Sequence, residues 1–276
     1  MTRDNILKMA EKLYQEAFNA NAYYTIMKQY QENYKKYDAE MCLSPAFYHT
    51  VYNALQVACF MELAKLYDKS SNVFCIGSLI KESNNNLSLF PEYRLIEECE
   101  IDGQKYTFHI PYQHELKKEE ERFFEAQAKS QREVLKMFDT QSTDTFPVRV
   151  DLKFSEFLGL YYKRFCGLSA KLENIRVQRN KIYAHNDSAQ ISGVDELIKK
   201  KPVYYADLKE LIDYALDVTR LIIACLTGVC RAERYYNIND WEATLMLAEL
   251  GLKYQDYDHK QKMKEFEEQL HSQTKE

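Results

Sequence analysis

From Phe154 the apolar side chains return every four and then every three residues: Leu158, Tyr161, Phe165, Leu168, Leu172 and Ile175 follow, then Arg179, then Ile182. Alternating steps of four and three keep one face of an α-helix turned toward a core or a partner. Where the pattern asks for another Leu, the chain supplies Arg179. An arginine in such a place must be paired, must sit in a cleft, or must bind something anionic.

A second stripe of the same kind runs through Leu208, Leu211, Ala215, Val218, Ile222, Cys225 and Val229. Ser44-Pro45 reads as an N-cap followed by Pro at the first helical position. It opens a helix to about Tyr67 whose apolar arc (Phe47, Val51, Ala54, Leu55, Ala58, Met61) is broad enough to be buried on several sides. Ile6, Ala10, Leu13 and Phe18 place one or two amphipathic helices in residues 3–37. Short helices are expected over Val73–Ile80 and Val194–Lys200, the latter ended by Lys199-Lys200-Lys201-Pro202, with loops at Ser83–Asn86 and Asn186–Gly193. Asp102-Gly103, between strand-like Arg94–Ile101 and Lys105–Ile110, signals a hairpin. Glu115–Phe138 reads as a charged helix and Thr140–Val150 as a linker. With only 7 Gly and 5 Pro in 276 residues, the expected class is all-α. The architecture is an up-and-down helical bundle with a four-helix core. Residues 1–235 form that domain, with the hairpin in an insertion at about 84–112, and residues 236–276 form a charged helical extension.

A net charge of −5 speaks against general coating of nucleic acid. Between residues 163 and 181 the sign reverses: Lys163, Arg164, Lys171, Arg176, Arg179 and Lys181 face the single acid Glu173, six cations against one and a local +5. Such a helix can attract a phosphate backbone. Seven cysteines without a CxxC pair read as small buried hydrophobes in a reducing compartment. No His/Cys/carboxylate spacing suits a metal, and no cofactor is expected. The longest apolar run, Leu221–Cys230, is too short to span a bilayer and no signal-peptide pattern opens the chain, so a cytoplasmic protein without membrane contact is expected. His109, His114, His259 and His271 read as solvent-facing, and His49 as a surface residue that could help line a groove.

On an ideal helix Arg179, Ile182 and His185 share one side, with the first and last about 9 Å apart along the axis. Arg179 and His185 therefore do not meet by spacing alone, and a second subunit could complete a site. His185 lies just before Asn186-Asp187, where the helix is expected to stop. There the dipole and a nearby carboxylate favour the imidazolium, a state suited to proton exchange near neutral pH.

Arg179, Asn180 and His185 match the HEPN signature of Arg, a following polar residue, and His four to six residues on. The string Arg179–Asp187 (RNKIYAHND) resembles the abortive-infection U-type HEPN proteins of bacterial phage defence. So does the order of elements, with Tyr67-Asp68 ending an earlier helix. The resemblance covers about residues 40–230. It implies a HEPN-like helical fold and metal-independent RNA cleavage in a cleft between the two chains of a homodimer. In that reading His185 moves protons, Arg179 holds the phosphate and Asn180 orients one of them. Arg176, Lys181 and Lys171 are the candidate RNA contacts, and Asp187, Tyr183 and Asp68 the supporting residues. A partner protein of a defence system or an antitoxin is also implied. One branch of the superfamily carries a modified Tyr two residues after the His; here Asp187 stands there, which argues against that control mechanism. Two other readings stay open at this point. A non-catalytic HEPN-type module could bind RNA, a nucleotide or a protein through the same residues. Or Arg179 could simply pair with an acid across the bundle, such as Asp68 or Asp213.

Overall fold

The computed structural model describes residues 1–68, 70, 73–101, 104–118, 120–138, 147–180 and 194–273. The chain is predominantly helical, as its composition predicts. In order it forms α1 (Arg3–Asn33), α2 (Asp38–Met41), α3 (Pro45–Leu66), α4 (Ile76–Asn85), β1 (Leu95–Ile101), β2 (Gln104–Ile110), β3 (Tyr112–Glu115), α5 (Glu125–Phe138), β4 (Arg149–Leu152), α6 (Phe154–Gly167), α7 (Ser169–Gln178), α8 (Val194–Lys200), α9 (Tyr205–Thr227) and α10 (Trp241–Gln273). No helix among the described residues is long and apolar enough to cross a membrane.

The elements divide into two compact units. The first comprises Met1–Leu13, Lys69–Ala170 and Asp217–Arg231. Its core gathers Ile6 and Leu13 of α1, Ile76 and Leu79 of α4, Phe154 and Leu158 of α6, and Ile222 of α9. Phe90 stacks on Phe154 with ring centroids 4.2 Å apart. Helix α4 opens with a reciprocal cap in which Ser78 N–H donates to Cys75 Sγ and Cys75 N–H to Ser78 Oγ. Its Gly77 lets α6 approach, since a Cβ there would lie 3.0 Å from Phe165 Cζ. Strands β1 and β2 pair antiparallel from Leu95↔Ile110 to Ile101↔Gln104, which is the anticipated hairpin; its turn, 102–103, lies outside the described residues.

Several expectations for this unit are corrected. Arg149-Val150 is not linker but strand, because β4 pairs with β3 from Tyr112↔Leu152 to Glu115↔Arg149 and buries Val150 and Leu152. Glu115 accordingly ends a strand, and the charged helix begins only at Glu125. The short helix expected over Val73–Ile80 is displaced: capped at Cys75, it runs on through Ser83 to Asn85, where a loop was expected, because Ser83 is buried with Ile76, Leu79 and Ile80 on one face. His114 is not solvent-facing: it is tied to Glu120 and packed on the Phe157 ring, with centroids 5.1 Å apart.

The second unit comprises Tyr14–Asp68, Lys171–Leu216 and Ala232–Glu276. Its core joins Ala17, Ala20 and Met27 of α1, Cys59, Leu63 and Leu66 of α3, Leu172 and Ile175 of α7, Leu211 and Ile212 of α9, and Leu245 of α10. Trp241 anchors the start of α10, its ring tilted against Tyr30 with centroids 4.4 Å apart and its Nε1 donating to Gln29 Oε1 at 2.6 Å. Pro45 does open α3, but Ser44 caps it without a side-chain hydrogen bond. None of the expected arc of α3 is fully buried: Phe47, 59% exposed, and Ala54 face out and Val51, Leu55, Ala58 and Met61 are half-buried, while the helix buries Cys59, Phe60, Leu63 and Leu66 at its C-terminal end. The stripe beginning at Phe154 is carried by two helices rather than one. Gly167 weakens the helix end, and Leu168 N–H closes on Phe165 C=O, a three-residue spacing that tightens the last turn. Past the break, Leu168, Leu172 and Ile175 are all buried. Of the cysteines only Cys59 is buried; Cys42, Cys166 and Cys230 are exposed, so the expectation of buried thiols holds at one position.

Candidate functional site

The candidate site lies in the second unit at the C-terminal end of α7. Helix α7 buries Leu172, Ile175 and Gln178, and immediately after Gln178 the winding widens to a π-type turn at residues 179 and 180. Turns of this kind are rare and recur at functional sites. Ile182 and His185, whose placement on the same side of an ideal helix was expected, lie outside the described residues.

Arg179 is half-buried, and its Nε is enclosed without a hydrogen bond among the described residues. Nor does any carboxylate among them lie within 4.0 Å of its guanidinium. Of the two acids suggested as partners across the bundle, Asp68 and Asp213, neither lies that close, and Asp213 takes the ammonium of Lys209. A cation enclosed without an anion is costly in proportion to its burial, and among the described residues no carboxylate offsets the half-buried Arg179.

The neighbouring cations differ. Lys171 Nζ sits 2.9 Å from Asp207 and also bonds Glu210, and these partners raise its pKa, the Glu210 hydrogen bond most. Burial alone would raise the pKa of Asp207, but Lys171 and the Tyr204 N–H outweigh it and hold the carboxyl below its ordinary value. Arg176 forms a two-pronged pair with Glu173 at 2.8 and 3.0 Å on the exposed face. Arg164, in the first unit, is taken by Glu120 and Asp217. Three of the six cations behind the local +5 are therefore paired with acids, Arg176 with one on its own helix and Arg164 and Lys171 with acids distant in sequence.

Asn180 follows Arg179 in the wide turn. Lys181, Tyr183, His185 and Asp187, with the loop expected at Asn186–Gly193, lie outside the described residues. Asp68 stands just beyond α3, where Tyr67 Oη donates to Leu211 C=O at 2.6 Å and fixes that helix end on α9. His49, His109, His259 and His271 are exposed, as expected. Among the described residues no group of three His, Cys, Asp or Glu is placed to hold a metal ion.

Sequence reasoning missed two polar struts on α7. Asn174 Nδ2 donates to Pro202 C=O at 2.9 Å, and Gln178 Nε2, on a side chain only 5% exposed, donates to Lys201 C=O at 2.7 Å. They hold the chain between α8 and α9 beside the turn that carries Arg179. Helix α8 itself spans the expected Val194–Lys200. The available signal was the (i, i+4) spacing of two amides on a helix that otherwise buries apolar groups.

The HEPN family model AbiU2 matches residues 3–244, and the chain belongs to that abortive-infection family. No curated protein and no solved structure matches it.

Proposed function

We propose that this AbiU2-family chain is a ribonuclease of phage defence or of a toxin–antitoxin system. It cleaves RNA without a metal in a site completed by a second copy of the chain. The observation that carries this reading is Arg179: an arginine on the core stripe, in a π-type turn, with an enclosed Nε and no carboxylate partner among the described residues. A phosphodiester is the anion that suits its planar, multi-donor head.

In the reaction the 2′-hydroxyl oxygen attacks the adjacent phosphorus and the bond to the 5′-oxygen breaks. The products are a 2′,3′-cyclic phosphate and a 5′-hydroxyl. His185 moves the proton between these oxygens, Arg179 stabilises the charge growing on the phosphoryl oxygens, and Asn180 orients the phosphate or the imidazole. Tyr183, Asp187 and Asp68 support that arrangement. Lys181 binds the flanking backbone directly; Lys171 and Arg176 do so by exchanging their carboxylate partners for phosphates. Residues 1–235 carry the activity, 236–276 form an appendage, and the protein works in the cytoplasm.

The test is incubation of the full chain with RNA in EDTA, with and without phage-derived material. The expected products bear cyclic phosphate ends and disappear in Arg179→Ala and in His185→Ala. RNA binding without cleavage under every condition would leave a binding module in place of the enzyme, and neither binding nor cleavage would remove RNA from the reading altogether.

A further inference from the structure

The segment between α8 and α9 does not simply end one helix and begin another. Its main chain is moored to α7 at Lys201 and Pro202 by Gln178 and Asn174, one helical turn apart and just before Arg179. Two amide-to-carbonyl bonds on one helix face fix both the height and the direction of the segment beside the Arg179 turn. A third tie lies at its far end, where Tyr204 N–H donates to Asp207 Oδ2 at 3.0 Å and caps α9. Asp207 is in turn held by Lys171. The backbone is thus held by three ties, while the Tyr204 ring stands 65% exposed.

The segment also carries the cations that the rest of the region lacks. Lys199 and Lys201 have no ion pair among the described residues, and Lys200 has only an exposed contact of 3.5 Å to Glu196, worth little in water. Lys171 and Arg176, by contrast, are engaged with acids. Unspent positive charge is therefore concentrated on this segment and on Arg179. A rigid backbone, three lysines and an outward aromatic ring make the combination that binds single strands: cations track the backbone and a base lies on the ring. A paired duplex keeps its bases stacked and offers none to the ring.

We propose that residues 199–204 form a docking subsite for single-stranded RNA, with Lys199, Lys200 and Lys201 on phosphates and one base stacked on Tyr204. This rests on the reading of Arg179 as a site for an RNA phosphate, and extends it by naming where the strand is held outside the reacting bond. The subsite binds and positions; it takes no part in the bond-breaking step.

The test uses the full chain and a short, end-labelled, mixed-sequence single-stranded oligoribonucleotide, with binding followed by fluorescence anisotropy at several salt concentrations. Lys199→Ala with Lys201→Ala is expected to weaken binding about tenfold at low salt. It also lowers the slope of log K against log salt by about 1.4, the value for two phosphate contacts on a single strand. Tyr204→Ala is expected to lose about tenfold and Tyr204→Phe nothing, because the ring is kept; a duplex of the same sequence should not respond to Tyr204→Ala. Lys264→Ala, an exposed lysine on α10, is the control and should bind as the parent does. In cleavage, the Lys199/Lys201 pair should raise KM and leave kcat unchanged. Unchanged binding in the lysine and Tyr204 variants, with cleavage still lost in Arg179→Ala, overturns the subsite and leaves the ribonuclease reading standing. An equal loss in Lys264→Ala overturns it as well, since the effect would then be one of bulk charge. A parent chain that binds no RNA overturns both.

Discussion

Arg164 lies on α6 and Arg179 in the wide turn that follows α7, and they differ in their partners. Arg164 is 9% exposed at its side chain and stands 3.2 Å from Glu120, a carboxylate with no exposure at all, and 3.6 Å from Asp217. Glu120 further accepts from His114 at 2.8 Å and from Lys117 N–H at 2.9 Å, and Lys117 Nζ reaches Asp217 at 3.1 Å. That arginine is ion-paired within a network of acids and bases, although its Nη1 and Glu120 Oε1 are enclosed without a hydrogen bond. Arg179 has no such company among the described residues, and its Nε is enclosed without an acceptor. The difference teaches how to separate two uses of a buried cation. One whose counter-charges are built into the same unit holds the fold, and one without a counter-charge among the described residues is, in the function proposed above, the one that takes the phosphate.

The sharpest way to break the comparison is to remove each arginine in turn. Arg164→Ala strands Glu120 as a buried, uncompensated charge and should cost about 3–5 kcal/mol in urea unfolding, with much of it recovered in the pair Glu120→Gln, Arg164→Met. The same network should show itself in acid. Burial by itself would raise the pKa of Glu120, but the His114 hydrogen bond, the Lys117 amide and Arg164 together hold it below its ordinary value of 4.5. Stability from this carboxylate is therefore fully present above pH 4.5 and is lost as pH falls through the lowered folded value. A circular-dichroism titration should show the parent losing stability in that window and Glu120→Gln losing less. Arg179→Leu is expected to change stability by between zero and about 1 kcal/mol in the stabilising direction, while abolishing RNA cleavage. A loss near 3 kcal/mol there would make Arg179 structural and erase the contrast. The smallest effect concerns thiols: burial pushes Cys59 up to about 12, so an alkylating reagent near neutral pH should modify Cys42, Cys166 and Cys230 and leave Cys59 untouched in the folded chain.

What could be read from the sequence was what depends on neighbours along the chain. The stripe from Phe154 to Ile175, the length of α8 and the β1–β2 hairpin all follow from local periodicity or a two-residue turn, and all are present. The β3–β4 pair escaped because its halves are four residues each and lie far apart in the chain, so neither shows a period long enough to register. Charge misled for the same reason. Counting along residues 163–181 finds one acid, whereas Arg164 finds Glu120 and Asp217, and Lys171 finds Asp207 and Glu210, only when the chain has folded. The apolar arc of α3 announced a buried helix without saying which part is covered. At the site, Arg179 was visible as a break in a pattern. The amides of Asn174 and Gln178 were not, because a mooring is defined by the carbonyls it reaches.

The wide turn at residues 179 and 180 has a consequence for how such a chain can vary. A π-type turn is an α-helix holding one residue more than its hydrogen-bond ladder needs, and winding can pass between the two forms by gaining or losing that residue. Length changes just past Arg179 can therefore be absorbed in the turn itself, without rotating the stripe before it or pulling Arg179 from its place beside the moored segment.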